Sequence, residues 1–220
     1  KVGSCKLISY IYTMKISYAI TVCNELDEIT RLLNFLLDKK RKEDEIVVLF
    51  DRKKGTPKVW SRLQELNDEP SCRVESATFK NHFADWKNLL TSKCSGDWIF
   101  QIDADEMPHK NLVEYLPEII LSNPDNEVIR VPRINTVFGL TEEYANKWGW
   151  NVNEKDWVNW PDFQWRIWKN HPKIKWVNKV HEVLEGYSTY SNLHEIEEYA
   201  LYHPKDIERQ IQQNNYYNTL

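Results

Sequence analysis

The stretch that decides the fold is Asp97-Trp98-Ile99-Phe100-Gln101-Ile102-Asp103-Ala104-Asp105-Glu106, where an apolar segment runs directly into an acidic cluster. The apolar part is typical of a strand buried on both faces, as in a parallel sheet. Asp103, Asp105 and Glu106 should therefore emerge together at the carboxyl end of the strand. Carboxylates this close repel one another unless a cation joins them, and oxygen ligands on a short loop suit Mg2+ or Mn2+. Because these ions keep open positions for substrate phosphates, the stretch predicts a metal-diphosphate site.

Three further strand patterns precede this stretch, and helix patterns separate them. The predicted strands are Ile16–Cys23, Glu45–Phe50 and Cys72–Ser76, and the predicted helices contain Ile29–Leu36, Lys58–Leu66 and Ala84–Cys94. This alternation is the signature of βαβ units and a parallel sheet. Ligands of such sheets bind beyond the carboxyl ends of the strands. We therefore expect Asn24, Glu25 and Asp51 to converge on one crevice with the loop that carries Asp103.

The glycine content excludes the usual dinucleotide-binding and P-loop patterns. The chain has only six glycines, and neither GxGxxG nor GxxxxGK[ST] follows any predicted strand. A diphosphate in this crevice would have to be held by a metal and by side chains.

The second half of the chain has a different composition. A strand is predicted over Val128–Ile134, and seven of the ten tryptophans lie between Trp148 and Trp176. These aromatic side chains could close a small core, since tryptophan buries a large area wherever it lies. Some could also form a platform for the apolar face of a sugar, and the two interpretations are compatible.

Residues Asp162–Ile167 alternate between polar and apolar with a period of two. Asp162, Gln164 and Arg166 should share one face of a strand, and Phe163, Trp165 and Ile167 the other. The polar face either lines a site or faces solvent. Further on, His181 and Glu182 follow an apolar residue, and this pair is either structural or completes a metal or phosphate site.

Length, charge and cysteine content limit the classes of protein. The 220 residues suit a single domain, and the net charge of -4 without a basic tract argues against nucleic acid as a partner. A peripheral contact with a charged membrane is left open. The cysteines (Cys5, Cys23, Cys72 and Cys94) form no CxxC pair, which favours reduced thiols in the cytoplasm. No run of about 20 apolar residues predicts a transmembrane helix.

Both ends of the chain give weaker signals. Met14 runs directly into the first predicted strand, so we interpret residues 1–13 as an extension ahead of the natural start. Residues 205–220 are predicted to form an amphipathic helix in which Ile207 and Ile211 lie one turn apart.

The ordered set of motifs resembles the family 2 glycosyltransferases of GT-A fold. The segments that carry the likeness are Ala19–Glu25, Glu45–Asp51, Trp86–Asn88 and Gly96–Glu106 in the first half, and Val131–Arg133, Trp160–Arg166 and Lys179–Glu182 in the second. The second-half segments are similar to those of the branch that contains the lipopolysaccharide-core β-glucosyltransferases. The likeness extends from Met14 to His203.

This resemblance implies an α/β fold with a mostly parallel central sheet flanked by helices and a smaller Trp-rich lobe on the acceptor side. A single domain would span 14–220, with the nucleotide-sugar-binding half at 14–122, the acceptor-side half at 123–204 and the terminal helix at 205–220. The implied enzyme moves a sugar from a nucleotide-diphosphate donor, with a UDP-sugar favoured, to a hydroxyl of a glycan or glycolipid. The transfer usually proceeds with inversion. A glycolipid acceptor would place the protein at the inner face of a membrane.

The resemblance also assigns roles by position. The residues implied to surround the base and ribose are Thr21, Asn24, Glu25 and Asp51, whereas Lys87 lies near the phosphates. Asp103 and Asp105 form the DxD pair, with Asp105 the more direct ligand of Mn2+ or Mg2+, and His181 is a further metal ligand. The segment Asp51–Thr56 departs from the acidic-serine-glycine-serine loop of the relatives, so the nucleotide base stays open.

The acceptor hydroxyl needs a general base as its bond to the anomeric carbon forms, and a carboxylate within hydrogen-bond reach can serve. Asp162 is the predicted base, with Glu182 and Glu106 in reserve. Alternatively, Asp162 holds Arg166 in a structural ion pair.

Two other classes of protein share parts of the pattern. A haloacid-dehalogenase-type phosphatase also has a strand that ends in DxD, but its motif lies early in the chain, whereas two βα units precede the motif here. A non-catalytic carbohydrate-binding module would explain the tryptophans alone. An inactive transferase would look the same in sequence.

Overall fold

The computed structural model describes residues 13–217, apart from the side chains at positions 67, 213 and 215–217. The predicted extension before Met14 lies outside this range except for residue 13, and so do Cys5 and the last three residues of the predicted terminal helix. Within the described range, no helix combines the length and the apolarity needed to cross a membrane.

Twelve strands and seven α-helices are described, and their order begins with alternating strands and helices. The strands are β1 (Ile16–Val22), β2 (Glu45–Asp51), β3 (Cys72–Ala77), β4 (Trp98–Asp103), β5 (Met107–Pro108), β6 (Val128–Val131), β7 (Arg133–Phe138), β8 (Gln164–Lys169), β9 (Lys175–Val177), β10 (Val183–Glu185), β11 (Tyr190–Asn192) and β12 (Leu201–Asp206). The helices are α1 (Leu26–Lys39), α2 (Pro57–Gln64), α3 (Phe83–Thr91), α4 (Lys110–Glu114), α5 (Leu116–Leu121), α6 (Glu142–Trp148) and α7 (Ile207–Tyr217). Two 3-10 turns lie at Glu65–Asp68 and Glu197–Tyr199.

The central sheet has seven strands in the order β11-β6-β8-β4-β1-β2-β3. Strands β3, β2, β1 and β4 run parallel, which confirms the four strands predicted in the first half. Strand β8 inserts antiparallel between β4 and β6. A second sheet has the order β5-β12-β7, and β9 pairs antiparallel with β10.

Helices cover both faces of the central sheet, because its inner strands are apolar on both sides. Alternate residues of β1 enter different core clusters: Ile16, Tyr18 and Ile20 pack with α1, whereas Ala19 packs on the side of α3. The first cluster also contains Ile167 of β8. The central sheet therefore continues across the predicted boundary between residues 122 and 123.

The strand predicted over Val128–Ile134 is divided at Pro132. Proline has no N–H to donate to a ladder, and β6 before it joins the central sheet whereas β7 after it joins the second sheet. The chain thereby carries Arg133 from the central sheet to the edge of the cleft.

The alternation predicted for Asp162–Ile167 is wrong in part. Strand β8 begins at Gln164, and its register with β6 shifts between Ile129 and Arg130. This bulge puts Trp165 in the cluster beside α3 and Ile167 in the opposite cluster, so the two do not share a face.

Candidate active site

A cleft of about 880 Å3 lies beyond the carboxyl ends of the parallel strands. Ten of the residues predicted for the site line it, whereas Glu106 does not: Thr21, Asn24, Glu25, Asp51, Lys87, Asp103, Asp105, Asp162, His181 and Glu182. The predicted convergence on one crevice is therefore confirmed, and it follows from the parallel arrangement of β1, β2 and β4.

Backbone amides orient two of the acidic groups at the ends of β1 and β2. The carboxylate of Glu25 accepts hydrogen bonds from the N–H groups of Cys23 and Asn24 at 2.8 and 3.0 Å. The buried Asp51 accepts from the N–H groups of Lys53 and Phe79 at 3.0 and 3.2 Å. Both side chains therefore have defined positions before any ligand binds.

An arginine balances the acidic cluster after β4. Nη2 of Arg166 donates to Oδ2 of Asp103 at 2.8 Å and to Oε1 of Glu106 at 2.6 Å. Burial alone would raise the pKa of Asp103, but the positive charges of Arg166, Lys87 and Arg133 together outweigh this effect and hold the pKa well below its usual range. Within the described chain, the cation that joins Asp103 and Glu106 is thus the guanidinium of Arg166, which belongs to β8.

Glu106 is excluded as a general base by its surroundings. Its side chain has no exposed surface, and both Arg166 and Arg133 bind Oε1. Its Oε2 accepts from the N–H of Asp103 at 3.1 Å. The reserve role predicted for Glu106 is therefore wrong, because an acceptor hydroxyl has no path to it.

Asp162 is held by Arg133, not by Arg166. Nε and Nη2 of Arg133 donate to its Oδ2 at 3.0 and 2.7 Å, and Nδ2 of Asn135 donates to the same oxygen at 2.8 Å. Its Oδ1 accepts from Gln164 at 2.7 Å. Burial would raise the pKa of Asp162, but Arg133 and the amides lower it. The carboxylate is therefore ionised at neutral pH, and the predicted alternative partner is wrong.

Lys87 of α3 connects two acidic groups of the cleft. Its Nζ lies 2.5 Å from Oε1 of Glu182 and 3.9 Å from Oδ1 of Asp103. The ammonium also lies 4.6 Å from the ring centroid of Trp176 in β9. This cation is thus placed beside the DxD pair, and Glu182 is paired with it.

Asp105 faces a histidine that the sequence analysis did not select. Nε2 of His203, in β12, lies 3.6 Å from Oδ2 of Asp105, which is beyond hydrogen-bond range. Nδ1 of His203 lies 2.8 Å from Oδ1 of Asn135. Because Nδ2 of Asn135 already donates to Asp162, its Oδ1 is the acceptor, so we assign the histidine proton to Nδ1.

This tautomer directs the lone pair of Nε2 of His203 towards Asp105. Burial lowers the pKa of His203, which favours the neutral imidazole at pH 7. Burial would raise the pKa of Asp105, but the interaction with protonated His203 lowers it to about 2, so the carboxylate is already ionised when His203 loses its own proton. Two electron-pair donors thus face the same space, and this donor set fits a divalent cation.

The three metal ligands predicted from the sequence do not form one group. Among residues 13–217, no three His, Cys, Asp or Glu side chains are arranged to hold a metal ion. Asp103 is occupied by Arg166, and His181 lies in the loop before β10, with a positive φ of 51°. The structure therefore brings Asp105 together with His203 and does not assemble Asp103, Asp105 and His181.

Sequence reasoning missed His203, Arg133 and Asn135, which reach the site from β7 and β12. Each lies at least 27 residues along the chain from its partner in the site. The available signal was the apolar run Ala200–Tyr202 ahead of His203, which resembles the strand ahead of Asp103.

Comparisons with known proteins agree with this architecture. Two crystal structures of S. aureus TarS residues 1–349 match the fold. The structure in complex with UDP-GlcNAc has a TM-score of 0.61 and 15% sequence identity, and the match covers 87% of this chain and 59% of that chain. The structure described without a ligand has a TM-score of 0.57 and 16% identity, and the match covers 87% of this chain and 60% of that chain. The chain thus spans about 60% of the length of these TarS chains. No curated protein gave a match.

The family model described as "Glycosyl transferase family 2" matches residues 17–191, which is more than half of the chain. The chain therefore belongs to glycosyl transferase family 2, and its domain has the GT-A fold of a glycosyltransferase.

Proposed function

We propose that this glycosyltransferase moves a sugar from a UDP-sugar, assisted by Mn2+ or Mg2+, to a hydroxyl of a glycan or glycolipid with inversion at the anomeric carbon. The observation that carries the proposal is the facing pair of Asp105 and His203 at the end of β4, inside a cleft that also holds Lys87. Family membership removes the phosphatase alternative.

The donor half of the cleft would be the part around β1 and β2. Thr21, Asn24, Glu25 and Asp51 would surround the base and ribose, since their carboxylates and amide can accept from or donate to a sugar and a pyrimidine. Lys87 would lie against the phosphates. The TarS structure described with UDP-GlcNAc makes UDP-GlcNAc the first donor to test, although its 15% identity supports the fold alone.

Asp105 and His203 would hold the divalent cation, and donor phosphate oxygens and water would complete its coordination. When bound, the cation neutralises the charge that develops on the departing diphosphate. Asp103 would support this arrangement from its ion pair with Arg166. A ligand role for His181 stays a prediction.

Asp162 would act as the general base towards the acceptor hydroxyl. Its side chain is 27% exposed in the cleft, and Oδ1 accepts only the hydrogen bond from Gln164 that is described. The carboxylate is ionised and therefore able to take a proton, but its lowered pKa makes it a modest base. Glu182 is the alternative base, and it would first have to separate from Lys87.

Aromatic side chains that line the same cleft as Asp162 support a sugar as the acceptor. Trp150 lines the cleft, and its ring lies 4.7 Å from that of Trp148. Asp162 and Trp165 line the same cleft. An indole ring can stack on the apolar face of a sugar, so this side would bind a glycan or the glycan part of a glycolipid, as in the synthesis of lipopolysaccharide or another surface polysaccharide. The site of action would be the cytoplasm, or the inner membrane face for a glycolipid.

The competing proposal is an inactive homologue or a carbohydrate-binding protein that keeps the fold. Isothermal titration calorimetry with UDP and Mn2+ distinguishes them. We expect Mn2+-dependent binding of UDP to wild type and at least about tenfold weaker binding to Asp105→Ala. Unchanged metal-dependent binding by the variant would remove Asp105 from the site, and a folded wild type that binds no nucleotide would favour the carbohydrate-binding protein.

A further inference from the structure

Arg209, in the first turn of α7, carries a guanidinium into the acidic side of the cleft. Its Nη1 lies 3.1 Å from Oε1 of Glu28, and its Nη2 lies 3.7 Å from Oε1 of Glu25 and 3.4 Å from Oδ2 of Asp105. The side chain is 38% exposed, so the three ion pairs are screened by water. Arg209 therefore lies at the rim of the cleft, where it can exchange partners.

The space around Arg209 allows that exchange. A second cavity of about 670 Å3 lies between α7, α1 and the end of β7, and Arg209 and Glu28 both line it. Arg209 also lines the main cleft. The side chain of Arg209 thus borders open space in both cavities, and another rotamer can extend into that space.

A cation at Asp105 would change the preferred partner of Arg209. Mg2+ binds oxygen at about 2.0 to 2.1 Å, so a phosphate oxygen on the same ion would lie about 4 Å or less from the Asp105 carboxylate. Nη2 of Arg209 is already 3.4 Å from that carboxylate. The metal would repel the guanidinium from Asp105, whereas a diphosphate beside it would offer the oxygen pair that an arginine fork binds best.

We propose that Arg209 binds the diphosphate of the donor, and that Glu25, Glu28 and Asp105 hold it at the rim until donor and cation enter. This inference rests on the proposed function. It assigns α7 a part in donor binding that neither the DxD pair nor the predicted base supplies. Arginine at this place would also stabilise the nucleoside diphosphate as it leaves.

Two matched variants separate a phosphate-binding role from a purely structural one. Arg209→Gln removes the guanidinium, and Glu28→Gln removes only its nearest acidic partner. If Arg209 merely anchors α7 to α1, both variants should weaken nucleotide binding alike. If Arg209 binds the diphosphate, only Arg209→Gln should do so, because Glu28→Gln leaves the guanidinium free to reach the ligand.

The experiment is calorimetric titration of wild type and both variants with UDP and with uridine, each in the presence of Mn2+. We expect Arg209→Gln to weaken UDP binding tenfold or more, on the order of a lost charge-assisted hydrogen bond, with uridine binding unchanged within about twofold. Glu28→Gln should bind UDP at least as tightly as wild type. Arg209→Lys, which keeps the charge without the fork, should lie between Arg209→Gln and wild type, and it replaces Arg209→Gln if that variant does not fold.

Three results would overturn the inference. The first is that Arg209→Gln weakens the binding of UDP and the binding of uridine equally. The second is that Glu28→Gln weakens UDP binding as much as Arg209→Gln does. The third is that both Arg209 variants bind UDP as tightly as wild type. Each leaves the proposed function intact, because wild type still binds UDP. A folded wild type that binds neither UDP nor another nucleoside diphosphate would overturn the proposed function and this inference together.

Discussion

At the residue scale, Arg166 is the side chain on which the acidic cluster depends. Its side chain is 3% exposed and bridges Asp103 and Glu106. Arg166→Met would leave Asp103 without its nearest cation and the buried Glu106 with Arg133 alone, so we expect a loss of about 3 to 5 kcal/mol in the free energy of unfolding. Chemical denaturation measures it.

The matched control is Arg62→Met, which removes an ion pair with Glu65. The side chain of Glu65 is 65% exposed. We expect that variant to lose no more than about 1 kcal/mol. Equal losses for the two variants would show that Arg166 does not neutralise the cluster.

Glu45, at the opposite end of the sheet from the cleft, should contribute to acid sensitivity. Burial would raise its pKa, but hydrogen bonds from Lys15, Ser17 and Ser95 lower the pKa from 4.5 to about 2. The folded-state pKa is depressed, so the stabilisation is complete above about pH 4.5 and is lost as pH falls towards 2. Denaturation of Glu45→Gln across this range should show a shallower pH dependence than wild type, and an identical slope would contradict the account.

The two candidate general bases, Asp162 and Glu182, can be distinguished by the turnover of their variants. If Asp162 accepts the proton, Asp162→Asn should reduce Mn2+-dependent donor hydrolysis by about 10² to 10⁴-fold, with UDP affinity changed little. Glu182→Gln should then have the smaller effect on turnover. A larger loss of turnover in Glu182→Gln, measured at saturating donor, would transfer the role to Glu182.

Residue-level prediction from the sequence succeeded where a functional group follows its own strand. Asp51 and Asp103 end strands whose apolar runs are visible in the sequence, so their convergence could be predicted. His203 and Arg133 act on partners far along the chain, and no local pattern records which carboxylate each will meet. For that reason Arg166, the alternative partner predicted for Asp162, is wrong, and Arg133 takes its place.

At the scale of elements, β1, β2 and β4 were predictable because each is rich in apolar residues, whereas β3 was predictable from its place in the βαβ alternation. The insertion of β8 between β4 and β6 was not, since antiparallel pairing across more than 60 residues depends on the whole sheet. The bulge opposite Arg130 also escaped prediction, because an extra residue in one strand leaves no mark on a period-two pattern.

The β9–β10 pair gives a prediction at this scale, since β9 precedes the His181–Glu182 segment and β10 follows it. Gly186 has φ +87°, and a Cβ there would lie 1.9 Å from the carbonyl oxygen of Lys173. Gly186→Ala should therefore destabilise the protein clearly more than Gly149→Ala, where φ is +67° but no atom lies within 4 Å. The left-handed conformation alone costs about 1 to 2 kcal/mol, which sets the expected loss for Gly149→Ala.

Thermal unfolding of the two variants checks this prediction. The difference between them isolates the steric contact with Lys173, because both positions have positive φ. Equal melting temperatures would mean that the backbone around Gly186 and Lys173, at the outer end of the β9–β10 pair, relaxes at no cost.

At the scale of the whole molecule, the cleft is assembled from parts that are distant in sequence. The central sheet supplies Asp51 and Asp103, the second sheet supplies His203, and α7 supplies Arg209. The Trp-rich segment adds Trp150 to the lining of the same cleft. One cleft thus brings together the residues proposed for the donor and those proposed for the acceptor.

The most direct test of this account is hydrolysis of nucleotide-sugars by wild type and Asp105→Asn, with and without Mn2+, beginning with UDP-GlcNAc. Donors hydrolyse slowly even when no acceptor is present, because water can replace the acceptor hydroxyl. We predict that wild type releases the nucleoside diphosphate only with Mn2+, and that Asp105→Asn loses at least about 90% of this activity while remaining folded. Failure of folded wild type to hydrolyse any nucleotide-sugar, or full activity of Asp105→Asn, would contradict the account.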